Sequence, residues 1–472
     1  MKQLNQIYIN GEFVIPHGTK TLDLLSPVTN EKVAQVTLGD EVDVQNAVVA
    51  AGKAFKTFSQ TSKEERIGYL KKMHEILKRC RQELIDVMID EFGCPLYFTT
   101  LLIDSAVDDF KNMAQLLKDF DLEPKVGHSK VRLQGAGVVG VIIPWNSSNG
   151  FIATKVSTAI AAGCTCVIKP SELSARQTQL MMECFHEAGL PRGVVNFVNG
   201  TGDVVGMEMT RNPGITKITF TGSTGVGKII AKGAVDSMKR VTLELGGKSP
   251  NIILEDADFA TAIPQAIFAA YINSGQACVA ATRLLVPENR LREANELAKA
   301  AIASTVKVGN PKDVNTTIGP MVNQKQFERV QDYIRIGIEE GATLLTGGTG
   351  KPVGLEAGNF VKPTIFTNVK NSMRIAQEEI FGPVLSIIAY KDEADAIAIA
   401  NDSPYGLAAY ITAGDKARAY RIANQLDAGR VCINGEFHDP MAPFGGFKQS
   451  GYGREFGVFG LEAYLEPKAI MG

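Results

Sequence analysis

The residues able to do chemistry sit at the ends of apolar, strand-length runs. From Gly137 onward the chain reads GVVGVIIPWN, CTCVIKPS, VVNFVNG, ITKITFTG and RVTLELGG, separated by helical segments. The runs end at Asn146, Lys169, Asn199, Gly222 and Glu244, most of them polar. Strands joined by helical crossovers form a parallel, doubly wound sheet, and such sheets bind ligands at the carboxyl ends of their strands. The fourth run leads through Phe220-Thr221-Gly222-Ser223-Thr224-Gly225-Val226-Gly227-Lys228 into a helix. Backbone N–H groups at such a turn can bind a pyrophosphate, but it is not a strict G-x-G-x-x-G, and alone it serves equally as an ordinary tight turn. Glu244 stands between Leu243 and Leu245 just before a Gly-Gly pair, where backbone can approach a ligand closely, a poor place for a solvated surface charge. Cys278, in an Ala/Val context, reads by itself as a small buried hydrophobe.

The rest of the chain must position these groups. At 472 residues it is too long for one ordinary core, and two or three domains are expected. The composition, 45% hydrophobic and 21% charged, excludes a disordered or fibrous chain. A formal net charge of -2 supplies no field to attract nucleic acid or an anionic membrane, and no apolar stretch is long enough to span a bilayer. A cytoplasmic protein with a small-molecule partner is expected. The 7 cysteines are scattered and odd in number, unlike a disulfide framework. Cys164 and Cys166 alternate onto one strand face with no second ligand pair, so they read as core residues rather than metal ligands. Short strands are expected in residues 1–35. A helix capped by Asp40 follows, with Val44, Ala47, Val48, Ala51 and Phe55 on one stripe. Another begins at the capping box Ser62–Glu65 and carries His74 as a packing residue.

Taken together, PWN at 144–146, KPSE at 169–172, FTGSTGVG at 220–227, LELGGKSP at 243–250, NSGQACVA at 273–280, EEIFGPV at 378–384 and PFGGFKQSG at 443–451 resemble the aldehyde dehydrogenase superfamily in order and spacing. The resemblance spans nearly the whole chain. It implies an α/β protein with a discontinuous Rossmann-like parallel-sheet cofactor domain (1–120 and 136–246) and a second α/β catalytic domain (247–445). A small β bridging and oligomerisation element (121–135 and 446–472) completes the implied fold. The tail from Leu461 to Ile470 reads as a strand of the kind that extends a neighbouring subunit's sheet, so a homodimer or homotetramer is implied.

The activity implied is oxidation of an aldehyde to a carboxylic acid with NAD, NADP being possible. Cys278 matches the nucleophile, because an aldehyde gives up hydride only after something has added to its carbonyl. Asn146 resembles the oxyanion-hole donor, although as a residue after a strand it also suits a helix N-cap. Glu244 matches the base that activates the deacylating water. Trp145, Gly222 and Ser223 fall in the cofactor motifs, Ser223 where the pyrophosphate binds. Lys169 and Glu172 resemble the residues at the adenosine ribose, and Glu379 and Phe381 those at the nicotinamide ribose and ring. No metal is implied.

Where relatives place bulky or aromatic groups this sequence has Ser147, Thr154 and His438, which implies a wider, more polar tunnel and a preference for small or polar aldehydes. A CoA-acylating dehydrogenase would not need Glu244 as a base. A non-catalytic binding protein on the same scaffold would not need Cys278, Asn146 and Glu244 together.

Overall fold

The computed structural model describes residues 2–471. The five apolar runs form the parallel strands Val138–Ile142, Thr165–Lys169, Val195–Phe197, Lys217–Thr221 and Arg240–Glu244. They lie side by side in an eight-stranded sheet, with Val138–Ile142 between Lys217–Thr221 and Thr165–Lys169. Their residues are nearly all buried, as expected of strands covered by helices on both faces. Two N-terminal strands, Ile7–Ile9 and Glu12–Val14, extend one edge antiparallel.

The flanking helices begin where side chains can satisfy their free amides. Asp40 caps Glu41–Phe58 and Ser62 caps Lys63–Arg79, each in a reciprocal capping box. Val44, Ala47, Val48 and Ala51 are buried against the sheet, while Phe58 rather than Phe55 completes the stripe. Burying each large aliphatic side chain contributes about 1.5–3 kcal/mol.

A second sheet of seven strands, parallel except for the edge strand Thr343–Thr346, occupies the C-terminal half. The third unit is a three-stranded antiparallel sheet of Lys125–Val126, Ser129–Gly135 and Leu465–Ile470. The expected tail strand is shorter than its sequence suggested, because Leu461 and Glu462 belong to the helix Gly457–Glu462. Leu461, Tyr464 and Leu465 all turn into the core. Their three- and four-residue spacing is helical, not alternating. Upstream of that helix, Phe447–Lys448 pairs with Tyr405–Gly406 in a separate two-stranded sheet, and Gly451–Tyr452 joins the edge of the eight-stranded sheet against Leu243 and Glu244.

Candidate active site

In the large sheet the chain runs outward from Val138–Ile142 through two strands, then returns to the other side of Val138–Ile142 for the last two. The connections therefore diverge at the carboxyl ends of Val138–Ile142 and Lys217–Thr221, where a ligand crevice is expected. A cavity of about 320 Å³ opens there, within the range of small-molecule sites. Trp145 and Asn146 line it from one strand end and Thr221, Gly222 and Ser223 from the other, while Cys278, Glu379 and Phe381 form its far side. A second cavity, of about 200 Å³, carries Ser147, Thr154, Glu244, Arg430 and His438 on its walls. The two share Asn146, Phe151, Thr221, Leu245 and Cys278. The thiol thus stands where one space meets the other.

The segment before Cys278 is held in an uncommon conformation. Asn273, Ser274 and Gly275 have φ of 51, 59 and 75° in succession. A Cβ on Gly275 would lie 2.3 Å from the Gly382 carbonyl, so the packing of the NSGQAC segment against the FGPV motif requires Gly275. Left-handed non-glycine residues cost about 1–3 kcal/mol each and persist only where their surroundings impose them. Asn273 Nδ2 donates to the carbonyls of Asn146 and Gln276, and Asn146 Nδ2 donates to Gln276, each at 3.1 Å. Asn146 is therefore anchored to the cysteine loop and is not a helix N-cap. That position belongs to Ser147, which makes no side-chain cap bond.

Burial, together with the charges of Glu379 and Glu244, pushes the Cys278 thiol up to about 12, with Arg430 opposing. Both oxygens of Glu244 are buried without a hydrogen-bond partner. Burial and the neighbouring Glu455 carboxylate raise its pKa well above the usual range, against the pull of Lys155 and Arg454. Glu379 Oε1 accepts the Gly247 N–H at 3.0 Å, and burial lifts its pKa to about 7. The Gly-Gly pair after Glu244 gives close approach to protein, and Gly246 also lines the first cavity. A Cβ on Gly246 would sit 2.5 Å from Glu379 Oε2, and one on Gly247 2.4 Å from the Cys278 carbonyl.

Phe381 adopts φ 64° and sets its ring edge-on to Trp145 at 5.6 Å. Ser223 caps the helix Thr224–Val235 by accepting from Val226 N–H at 3.4 Å. Nothing lies within 4 Å of a Cβ built on Gly225, so the helix start borders open space there, and its amides ahead of Val226 and Gly227, which are bonded to Ser223, can meet an anion. Lys169 and Glu172 lie outside the cavity, on the next strand end, paired at 3.4 Å. Burial holds the Lys169 pKa down.

Several neighbours escaped sequence reasoning. Lys155 and Glu455 form a buried ion pair that also engages Thr219, with Glu455 beside Glu244. Lys155 did leave a signal, a lone charge in the apolar helix Ser148–Ala162; Glu455 left none. Arg430 and Asp109 on the second cavity's walls also carried no motif. Ser450 Oγ ties the Gly246 carbonyl at 2.7 Å.

The profile described as Aldehyde dehydrogenase family matches residues 13–470. The chain is 44% identical to a 3-succinoylsemialdehyde-pyridine dehydrogenase of a Pseudomonas species, over 100% of this chain and 99% of that one. Among solved structures it is similar to a mutant of aldehyde dehydrogenase C from Pseudomonas syringae complexed with NAD+ and octanal. That likeness has a TM-score of 0.97 and 44% identity, covering 99% of this chain and 96% of that one. An NAD+ complex of an aldehyde dehydrogenase from Bacillus cereus gives a TM-score of 0.94 and 38% identity over 99% and 96% of the two chains. This chain belongs to the aldehyde dehydrogenase family.

Proposed function

We propose that the chain oxidises an aldehyde to a carboxylic acid with NAD+, through a thioester on Cys278. The observation that carries this reading is the meeting of two cavities at Cys278 and Asn146, one at the switch point of the parallel sheet and one beyond it. NAD+ suits the first: the open helix start at Ser223 offers amides for the pyrophosphate, Glu379 and Phe381 stand at the nicotinamide end, and Lys169 with Glu172 at the adenosine ribose. Trp145 and Gly222 complete the walls.

In the first half-reaction Cys278 Sγ bonds to the aldehyde carbon and the carbonyl π electrons move to oxygen. The Asn146 amide and the Cys278 backbone N–H stabilise that oxyanion. The thiol proton leaves through Glu244 or water, as the raised thiol pKa requires a base. NAD+ supplies the acceptor for the hydride, which departs as the carbonyl reforms. The remaining thioester is attacked by water, Glu244 takes the water proton, and the carbon–sulfur bond breaks. The sum is RCHO, NAD+ and H2O giving RCOO−, NADH and two protons.

Ser147, Thr154 and His438 lie on the second cavity's walls beside Phe98, Leu102 and Phe444, which supports an aldehyde with both apolar and polar parts. The strand Leu465–Ile470 pairs on one side with Ser129–Gly135 and has no partner on the other among the described residues. An open edge of this kind supports assembly into a homodimer or homotetramer. No described helix is long and apolar enough to cross a membrane. Incubation with NAD+ and a panel of aldehydes, followed by absorbance of the reduced cofactor, tests the reading: NADH and free acid should form without CoA. No NADH with any aldehyde, or an absolute need for CoA, would overturn it.

A further inference from the structure

Arg430 begins the strand Arg430–Ile433 on the wall of the cavity beyond Cys278, and among the described residues it is the only lysine or arginine lining that space. Its guanidinium forms no ion pair among the described residues. One Nη donates to Tyr410 Oη at 3.3 Å, the charge lies 5.4 Å from the Phe444 ring centre, and Nε is buried with no acceptor. Tyr410 cannot supply more, because its hydroxyl already donates to the Val279 carbonyl at 2.8 Å. That bond also fixes Arg430 to the residue following the nucleophile. Farther along the same wall His438 stands between Phe444 and Phe456, with Nε2 buried and unpartnered.

The carboxyl groups of this cavity do not neutralise the guanidinium. Glu455 is paired with Lys155. Asp109 accepts the Thr154 hydroxyl at 2.5 Å, and burial pushes its pKa up to about 7. Glu244 forms neither an ion pair nor a hydrogen bond with the guanidinium among the described residues. An unpaired, largely desolvated cation is costly unless a ligand completes it, and a planar guanidinium with free N–H groups matches a carboxylate in particular.

We propose that Arg430 is a specificity-determining residue that binds a carboxylate carried by the aldehyde, so that the preferred substrates are short ω-carboxylate semialdehydes. This rests on the reading of the cavity as the aldehyde site. The short span follows from the link through Tyr410 to Val279 and from the cavity's volume of about 200 Å³.

The test compares kcat/KM for 4-oxobutanoate and for butanal, equal in chain length, at saturating NAD+ in the wild type, Arg430→Met and Arg430→Lys. A hydrogen bond to a charged partner corresponds to about 10–100-fold, so the wild type should favour 4-oxobutanoate by that factor. Arg430→Met should bring the ratio to within about threefold of one, with Arg430→Lys between. A wild-type ratio near one overturns the proposal. So does an Arg430→Met variant that slows both aldehydes by the same factor, which would make Arg430 a positioning residue for the cysteine loop. If Arg430→Met does not fold, competition in the wild type decides: succinate, which carries the second carboxylate, should inhibit butanal oxidation competitively and butanoate about tenfold less, and equal inhibition overturns the proposal. Should no aldehyde be oxidised at all, the aldehyde reading itself fails, an outcome distinct from unselective oxidation.

Discussion

Replacing Glu244 by glutamine separates the two half-reactions. Neither carboxylate oxygen accepts a hydrogen bond, and the group is almost wholly buried, so the neutral amide loses no bond and relieves the burial of a charge beside Glu455. The variant should therefore fold, with no loss in Tm. The deacylating water loses its base, and general-base contributions of about 10²–10⁴-fold correspond to about 2.7–5.4 kcal/mol of barrier. Rapid mixing with NAD+ and aldehyde should give a burst of reduced cofactor approaching one equivalent per site, then turnover slowed by that factor. The burst itself slows to the extent that Glu244 also receives the thiol proton. A variant that folds, binds NAD+ and turns over within about threefold of wild type would refute the assignment of Glu244 as the hydrolytic base.

Alkylation of Cys278 in the cofactor-free protein should accelerate about tenfold per pH unit between about 7 and 9, because a thiol held up at about 12 is overwhelmingly protonated there. A plateau in that range would show a thiolate already formed. Glu172 should disfavour a 2′-phosphate by like-charge repulsion, in part offset by Lys169 at 3.4 Å, so kcat/KM should be higher with NAD+ than with NADP+. Side-by-side kinetics in which NADP+ is better would contradict this, and Glu172→Gln should narrow the gap. Light scattering should return two or four times the 50.8 kDa chain mass, since the outer edge of Leu465–Ile470 has no partner strand among the described residues; a monomer at micromolar concentration would oppose it.

The sheet that frames the site was legible because its strands are continuous apolar runs bounded by glycine and polar residues, and the N-cap at Asp40 and the capping box at Ser62 marked two helix starts. The tail was misread where Leu461, Tyr464 and Leu465 follow a helical spacing within a segment that ends as a strand. Cys278 by itself looked like a core cysteine; only its company of motifs gave it a role. Arg430 carried no motif in the sequence, and its lack of a counter-ion exists only in three dimensions. Lys155 and Glu455 are 300 residues apart in sequence, so no local pattern could join them. The Gly-Gly pair after Glu244 was legible as a point of close approach, but sequence could not say that its neighbours would be Glu379 and Cys278.

The central claim is a covalent acyl group on Cys278, and intact-protein and peptide mass analysis of a reaction quenched during turnover tests it most directly. With NAD+ and aldehyde, Glu244→Gln should accumulate an adduct equal to the aldehyde less two hydrogens. The modified peptide should be the one that carries Cys278, the adduct should be absent without NAD+, and Cys278→Ser should neither form it nor turn over. An adduct on another cysteine, or full turnover by Cys278→Ser, would contradict the account.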